Sequence, residues 1–109
     1  MLEDVVRKGR LLDLYGPLLT EKQRRCMEMY LDMDLSLSEI GEELHISRQG
    51  AYDMLKRASH SLENYEQRLH LLARYDAVRD KIDEVERLLD REEPQTLERA
   101  KQLLHEIEL

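Results

Sequence analysis

A chain of 109 residues is long enough for one compact domain, or for a small domain with a helical extension. Charged residues make up 38% and aromatic residues 5%, every aromatic is a tyrosine, and only four Gly and two Pro occur, which points to an all-α fold with a core of Leu, Ile, Val, Met and Ala. The formal charge of −7 argues against a protein that coats nucleic acid indiscriminately, and a single cysteine leaves no internal disulfide to form.

Residues 3–15 read as a first helix, with Val5, Leu11, Leu12 and Tyr15 facing inward and Gly16-Pro17 ending it. Thr20 and Gln23 have the spacing of a capping box and open a second helix, whose apolar stripe is Cys26, Met27, Tyr30 and Leu31. Cys26, flanked by Met27 and Met29, is expected to be a small buried hydrophobe. Asp32-Met33-Asp34 makes a short link.

Ser36 to Arg57 is the most informative stretch. Ser36 and Glu39 form another capping box, and Ile40 and Leu44 give the helix one apolar face. Gly41, beside Ile40, lets a second helix cross closely. His45 falls where the chain must turn and tolerates positive φ better than most residues. Ile46 plugs the gap, Ser47 caps the next helix, and Ala51, Met54, Leu55 and Ala58 form its inner face. This is the pattern of a helix-turn-helix, whose second helix can enter the major groove. A plain helical hairpin fits the periodicity equally well. It does not account for the second helix beginning with a cap followed by Arg48-Gln49.

Beyond Ser47 nothing strong stops a helix until Glu93-Pro94. Apolar steps run Leu62, Tyr65, Leu69, Leu72, then Val78, Ile82, Val85, Leu89, so one long helix, or two with a bend near Ser59-His60-Ser61, would fit. After Pro94 a last helix carries Leu97, Ala100, Leu104 and Ile107. With the short Glu92–Thr96 link, the two stripes suggest an antiparallel hairpin. Residues 75–109 hold six basic and eleven acidic side chains, a charge of −5, which leaves −2 for residues 1–74. The expected organisation is therefore a helix-turn-helix domain over 1–74, with the motif at about 36–58, and an acidic helical hairpin or extension over 75–109. The narrow apolar seam needs a partner. Twofold pairing is usual among helix-turn-helix readers, so a homodimer is expected, the alternative being an intramolecular bundle.

Residues 36–58 resemble region four of bacterial sigma-70 factors, with Glu39-Ile40-Gly41, Ile46-Ser47-Arg48 and Lys56-Arg57-Ala58 in register. A closer resemblance, to the YlxM-type helix-turn-helix family, runs from about Leu11 to about Leu72. It rests on Leu18-Leu19-Thr20, Lys22-Gln23-Arg24, Tyr30, Ser36-Leu37, Glu39-Ile40, Ser47-Arg48-Gln49 and Tyr52-Asp53. The resemblance implies a bacterial, cytoplasmic, all-helical protein with a regulatory DNA-binding role. It also implies a place in the signal recognition particle (SRP) targeting pathway, with the SRP GTPase or its receptor as partner. By the sigma resemblance, the positions of Arg48, Gln49 and Asp53 face bases, and those of Gly50 and Tyr52 approach phosphates. Arg48 suits guanine and Gln49 adenine, whereas Asp53 stands for an amide, and Gly50 and Tyr52 stand for arginines.

The candidate DNA-binding residues are thus Ser47, Arg48, Gln49, Tyr52, Asp53, Lys56 and Arg57, with Lys22, Arg24 and Arg25 on the preceding helix against phosphates. Asp53 also has the spacing to pair with Arg57, and the basic residues of the second helix could instead pair with Glu21 or Glu28. No enzyme is expected: His45, His60, His70 and His105 are scattered, and His45 reads as a turn residue and the others as exposed helix positions. The pairs Glu42-Glu43, Asp83-Glu84 and Glu92-Glu93 read as solvated faces. Cofactors, bound metals, a signal peptide and membrane insertion are not expected. The competing reading is a protein- or RNA-interaction accessory of the SRP GTPase and its receptor, acting through the acidic tail.

Overall fold

The computed structural model describes residues 4–91 and 94–107, and all regular structure among them is helical. The start of the first helix at residue 3 and the Glu92-Glu93 pair lie outside the described residues. The chain divides into two compact units, residues 1–70 and 71–109. No helix among the described residues is long and apolar enough to cross a membrane.

The first unit contains α1 (Val5–Tyr15), a short 3-10 turn (Gly16–Leu18), α2 (Glu21–Leu31), α3 (Leu37–Leu44) and α4 (Arg48–Leu69). Side chains define each start. Asp4 accepts from the Arg7 N–H, and Thr20–Gln23 and Ser36–Glu39 both form reciprocal capping boxes. The hydrogen bonds from Ser36 hold the Glu39 carboxyl below its usual pKa range. Each cap satisfies backbone donors otherwise left bare, worth about 1 kcal/mol per helix.

The core of this unit is Leu11, Tyr15, Cys26, Met27, Ile40, Leu55 and Leu62, all fully buried, with Ala51 and Ala58 where helices approach. Each large side chain contributes roughly 1.5–3 kcal/mol by leaving water. Most expected inner positions are inside. Val5 is exposed instead, Met29 takes a buried place that Tyr30 and Leu31 only half fill, and Ile46 and Met54 are half-buried. One polar pair sits in the core: the Tyr15 hydroxyl donates to Glu66 Oε1 at 2.6 Å. Glu66 stands four residues after Leu62 on the inward register of α4, which is why it is buried. Nearer the surface, Glu63 accepts from Arg7 at 2.8 and 2.9 Å and from Lys8 at 2.7 Å, tying α1 to α4.

The long run after Ser47 does break, at His70 and not near Ser59-His60-Ser61. Those three residues lie within the continuous α4, and Ser59 is buried. His70 takes a left-handed conformation (φ 57°) and its N–H closes the helix on the Glu66 carbonyl at 2.9 Å. His70 is thus a helix cap, not an exposed helix position, and it repeats the device at His45, also at φ 57°.

The second unit contains α5 (Leu71–Asp90) and α6 (Pro94–His105). The short link and the Lys81 Nζ bond to the Glu106 carbonyl (3.0 Å) make them an antiparallel hairpin. Its core is Val85, Leu88, Ala100 and Leu103. Val85 and Ala100 are inside as expected, but the rest of the expected seam shifts: Ile82, Leu89, Leu97 and Leu104 are exposed, and Leu88, Thr96 and Leu103 point inward. Leu88-Leu89 and Leu103-Leu104 are adjacent leucines 100° apart on their helices. Apolar periodicity admits either member, and packing between the helices selects the first.

Candidate nucleic-acid interface

The geometry of the turn sets how α4 is presented. His45 reverses the chain, and the Ile46 N–H bonds back to the Gly41 carbonyl at 2.9 Å. A Cβ on Gly41 would lie 2.7 Å from the Ile46 carbonyl oxygen and 3.3 Å from Ser47 backbone atoms, so only glycine permits this approach. Ser47 Oγ then accepts the Gly50 N–H at 2.9 Å and fixes the first turn of α4.

From there the helical period sorts the side chains. Ala51, Leu55, Ala58 and Leu62 are buried against the unit. Gln49, Asp53, Lys56 and Arg57 are exposed on the opposite side, Tyr52 is half-buried at its edge, and Arg48, in register with Leu55, is exposed as the first residue of the helix. Two i, i+4 contacts order this surface. Gln49 Nε2 donates to Asp53 Oδ1 at 3.0 Å, and Lys56 Nζ lies 5.3 Å from the centre of the Tyr52 ring. Asp53 thus accepts from Gln49 on the preceding turn, although Arg57 on the following turn has the same spacing. An amide four residues before a carboxylate on an exposed helix is the signal that could have identified it.

A shallow groove lies between α2 and α4, lined by Thr20, Lys22, Gln23, Gly50, Asp53, Met54 and Arg57. It brings Lys22 of α2 beside Asp53 and Arg57 of α4. Arg25 is exposed about 60° round α2 from Lys22 and shares its side. Arg24 lies about 160° from Lys22. It pairs with Glu28 at 3.7 Å, and its aliphatic stem lies near Gly16. Lys22 and Arg25 thus flank the exposed α4 surface and Arg24 does not.

The exposed face of α4 presents two kinds of chemistry. Arg48, Lys56 and Arg57, against one acid at Asp53, supply a modest positive field. The Gln49 amide, oriented by Asp53, keeps its carbonyl and one N–H available for bidentate pairing. The residues that set this presentation through the turn and the cap, Gly41, His45 and Ser47, are legible in sequence. The Arg7–Lys8–Glu63 cluster that anchors α1 to α4 was not, because its members are 55 and 56 residues apart.

Residues 2–106 match a family model described as "Putative helix-turn-helix protein, YlxM / p13 like". The chain is 43% identical, over 113 aligned positions, to the UPF0122 protein of Thermoanaerobacter sp. (strain X514), covering 99% of this chain and 97% of that protein. It is likewise 43% identical over 108 positions to the UPF0122 protein of Bacillus mycoides (strain KBAB4), with 99% and 97% covered. To that of Halalkalibacterium halodurans it is 41% identical over 92 positions, 84% of each.

Proposed function

This chain belongs to the UPF0122 family of YlxM/p13-like helix-turn-helix proteins, and on that premise we propose that it is a DNA-binding regulatory protein rather than an enzyme. The observation that carries this reading is the division of α4. One side is buried, the other presents Gln49, Asp53, Lys56 and Arg57 to solvent, and Arg48 is exposed at the capped N-terminus ahead of the buried row. A helix so presented fits the major groove. In this reading Arg48 contacts guanine O6 and N7. Gln49, held by Asp53, pairs with adenine N6 and N7. Asp53 itself accepts from cytosine N4. Ser47, Tyr52, Lys56 and Arg57 border the bases, and Lys22 and Arg25 neutralise phosphates from α2. Arg24 is left to its bridge with Glu28. The protein acts in the cytoplasm as a homodimer on a two-fold site, within the SRP targeting pathway.

Few phosphate contacts are available to such a surface. With about four, the logarithm of the binding constant falls with the logarithm of salt at a slope of about −3 to −4. Selection of duplexes from a random pool, followed by fluorescence anisotropy, tests the reading. Arg48→Ala should weaken the selected site roughly 5- to 150-fold per half-site and relax discrimination at one base pair in each. Lys22→Ala should weaken all duplexes alike and, removing one contact from each protomer, reduce the salt slope by about two. An Arg48→Ala/Gln49→Ala protein that binds the selected duplex like the parent overturns the assignment.

One observation favours a second reading, in which the protein is an accessory of the SRP GTPase or its receptor. Asp80, Asp83, Glu84, Glu86 and Asp90 line one side of α5, relieved only by Arg87 among the residues of that surface. Such an acidic face suits a basic protein surface. Affinity capture from a bacterial lysate, with and without nuclease, separates the two. A discrete DNA site lost on nuclease treatment supports the regulator, and nuclease-resistant capture of the GTPase or receptor supports the accessory.

A further inference from the structure

The α5–α6 hairpin is half of a bundle. Among the described residues its packed core is Val85, Leu88, Ala100 and Leu103, yet it leaves six large apolar side chains open, Leu71 (42% exposed) at its start and five along its length: Tyr75 (59%), Ile82 (37%), Leu89 (46%), Leu97 (45%) and Leu104 (52%). These are not scattered. Tyr75, Ile82 and Leu89 recur every seven residues on α5, and Leu97 and Leu104 do so on α6. At 100° per residue both rows lie about 80° from the packed seam of their helix, in the same rotational sense. In an antiparallel pair, the same sense on each helix means the same face of the hairpin. The two rows therefore form one apolar face with no counterpart in the hairpin itself.

We propose that this face is occupied by the same face of a second copy of the chain, the two hairpins forming an antiparallel four-helix bundle about a two-fold axis parallel to the helices. The proposal rests on the homodimer reading above and names its surface. Three observations support a second copy over another occupant. The first is size. A unit of residues 71–109 is at the length below which oligomerisation, metals or disulfides are usually needed to hold a fold. The second is area. The five side chains leave on the order of 450 Å² of apolar surface open, as much as the largest, often functional, patch on a monomer. Pairing two such faces removes on the order of 900 Å², and the stems of flanking residues bring this toward the roughly 1,200 Å² of stable interfaces.

The third is charge. The Lys81–Glu106 contact sets the level of α5 against α6, and five residues along each helix puts Glu86 level with Lys101. Both sit just outside the apolar rows, on the outer rims of their helices. The two-fold axis keeps levels unchanged and places α5 of one copy beside α6 of the other. Glu86 then meets Lys101 of the second copy, twice per dimer, and α5 rims do not meet each other.

Sedimentation equilibrium of the full chain tests this. The parent should give the dimer mass in the micromolar range and above. Leu89→Glu/Leu104→Glu should give the monomer mass with helical circular dichroism retained, since both side chains are exposed in the hairpin. Should that variant lose its helicity, the rim decides. Glu86→Lys should raise the dimer dissociation constant about tenfold, and Glu86→Lys/Lys101→Glu should restore it. A Leu89→Glu/Leu104→Glu chain that folds and remains dimeric overturns the face while leaving the dimer standing. Rim variants with unchanged dissociation constants overturn the two-fold arrangement. A parent that is monomeric up to about 100 μM overturns both the face and the homodimer, and assigns the apolar rows to a different protein.

Discussion

Gly41 offers the most exacting test of the helix-turn-helix geometry, because the expected sign is opposite to that at an ordinary helical glycine. In an open helix, Gly→Ala stabilises by about 0.8–1.0 kcal/mol. Gly9 in α1 meets that condition, as nothing lies within 4 Å of an added Cβ. At Gly41 the same methyl group would stand 2.7 Å from the Ile46 carbonyl oxygen and 3.3 Å from Ser47 carbonyl atoms. The obstructing atoms are backbone. They are held by the Ile46 N–H bond to the Gly41 carbonyl and by the Ser47 cap, so they cannot rotate away. Overpacking of this kind costs up to about 3 kcal/mol. Subtracting the helix-propensity gain of about 1 kcal/mol leaves a net loss of about 2 kcal/mol. Urea unfolding monitored by circular dichroism reads both variants. Gly9→Ala should raise the midpoint. Gly41→Ala should lower it at unchanged slope, and its melting temperature should fall by roughly 8–16 °C. DNA affinity should drop as well, since the shift moves the start of α4. Stabilisation of both variants by similar amounts would show that the two helices do not approach as described, and the reasoning about the turn would fail with it.

Three further outcomes follow from the same structure. Arg7, by its hydrogen bonds, and then Lys8 hold the Glu63 carboxyl well below its usual range, at about 2. A depressed carboxyl pKa contributes stability above the unfolded value near 4.5 that is lost as pH falls through the folded value near 2. With Glu63 36% exposed, screening reduces its contribution to about 1 kcal/mol. Glu63→Gln should therefore be less stable than the parent at pH 7 and equal to it near pH 2, and a difference unchanged across that range in urea titrations would contradict the pairing. Burial pushes the Cys26 thiol up to about 11, and the side chain is fully enclosed. An aromatic disulfide reagent at pH 8 should modify it only as fast as the protein unfolds, and immediate reaction in native buffer would place it at the surface. His45→Gly should stabilise by up to about 1 kcal/mol by relieving the left-handed conformation, whereas a clear loss in the urea midpoint would mean that the imidazole itself contributes.

The helix-turn-helix was legible in the chain because its determinants are local. Thr20, Ser36 and Ser47 each cap a helix three residues away, Gly41 and His45 act through their own backbone, and the 3.6-residue period places Ala51, Leu55 and Ala58 inside. The exposed face of α4 follows as the complement of that buried side. Gln49–Asp53 was within reach of the same reasoning, but Asp53 has spaced partners on both sides, and only side-chain geometry chooses between them.

What the amino-acid order determined by itself was therefore the run of helices up to the start of α4, their caps, the turn and the exposed start of α4, each fixed by interactions spanning three or four residues. The tertiary structure alone decided the features that depend on distant partners. Glu63 is held by Arg7 and Lys8 more than fifty residues away, and Glu66, turned inward by its register on α4, is satisfied there by the Tyr15 hydroxyl. The helix break at His70 is closed by a local bond, its N–H to the Glu66 carbonyl, yet no stop signal in the run marks the place. The choice of Leu88 and Leu103 over Leu89 and Leu104 is the clearest instance. Neighbouring leucines satisfy apolar periodicity equally, and which one is buried depends on how the facing helix is rotated, a quantity no local pattern contains.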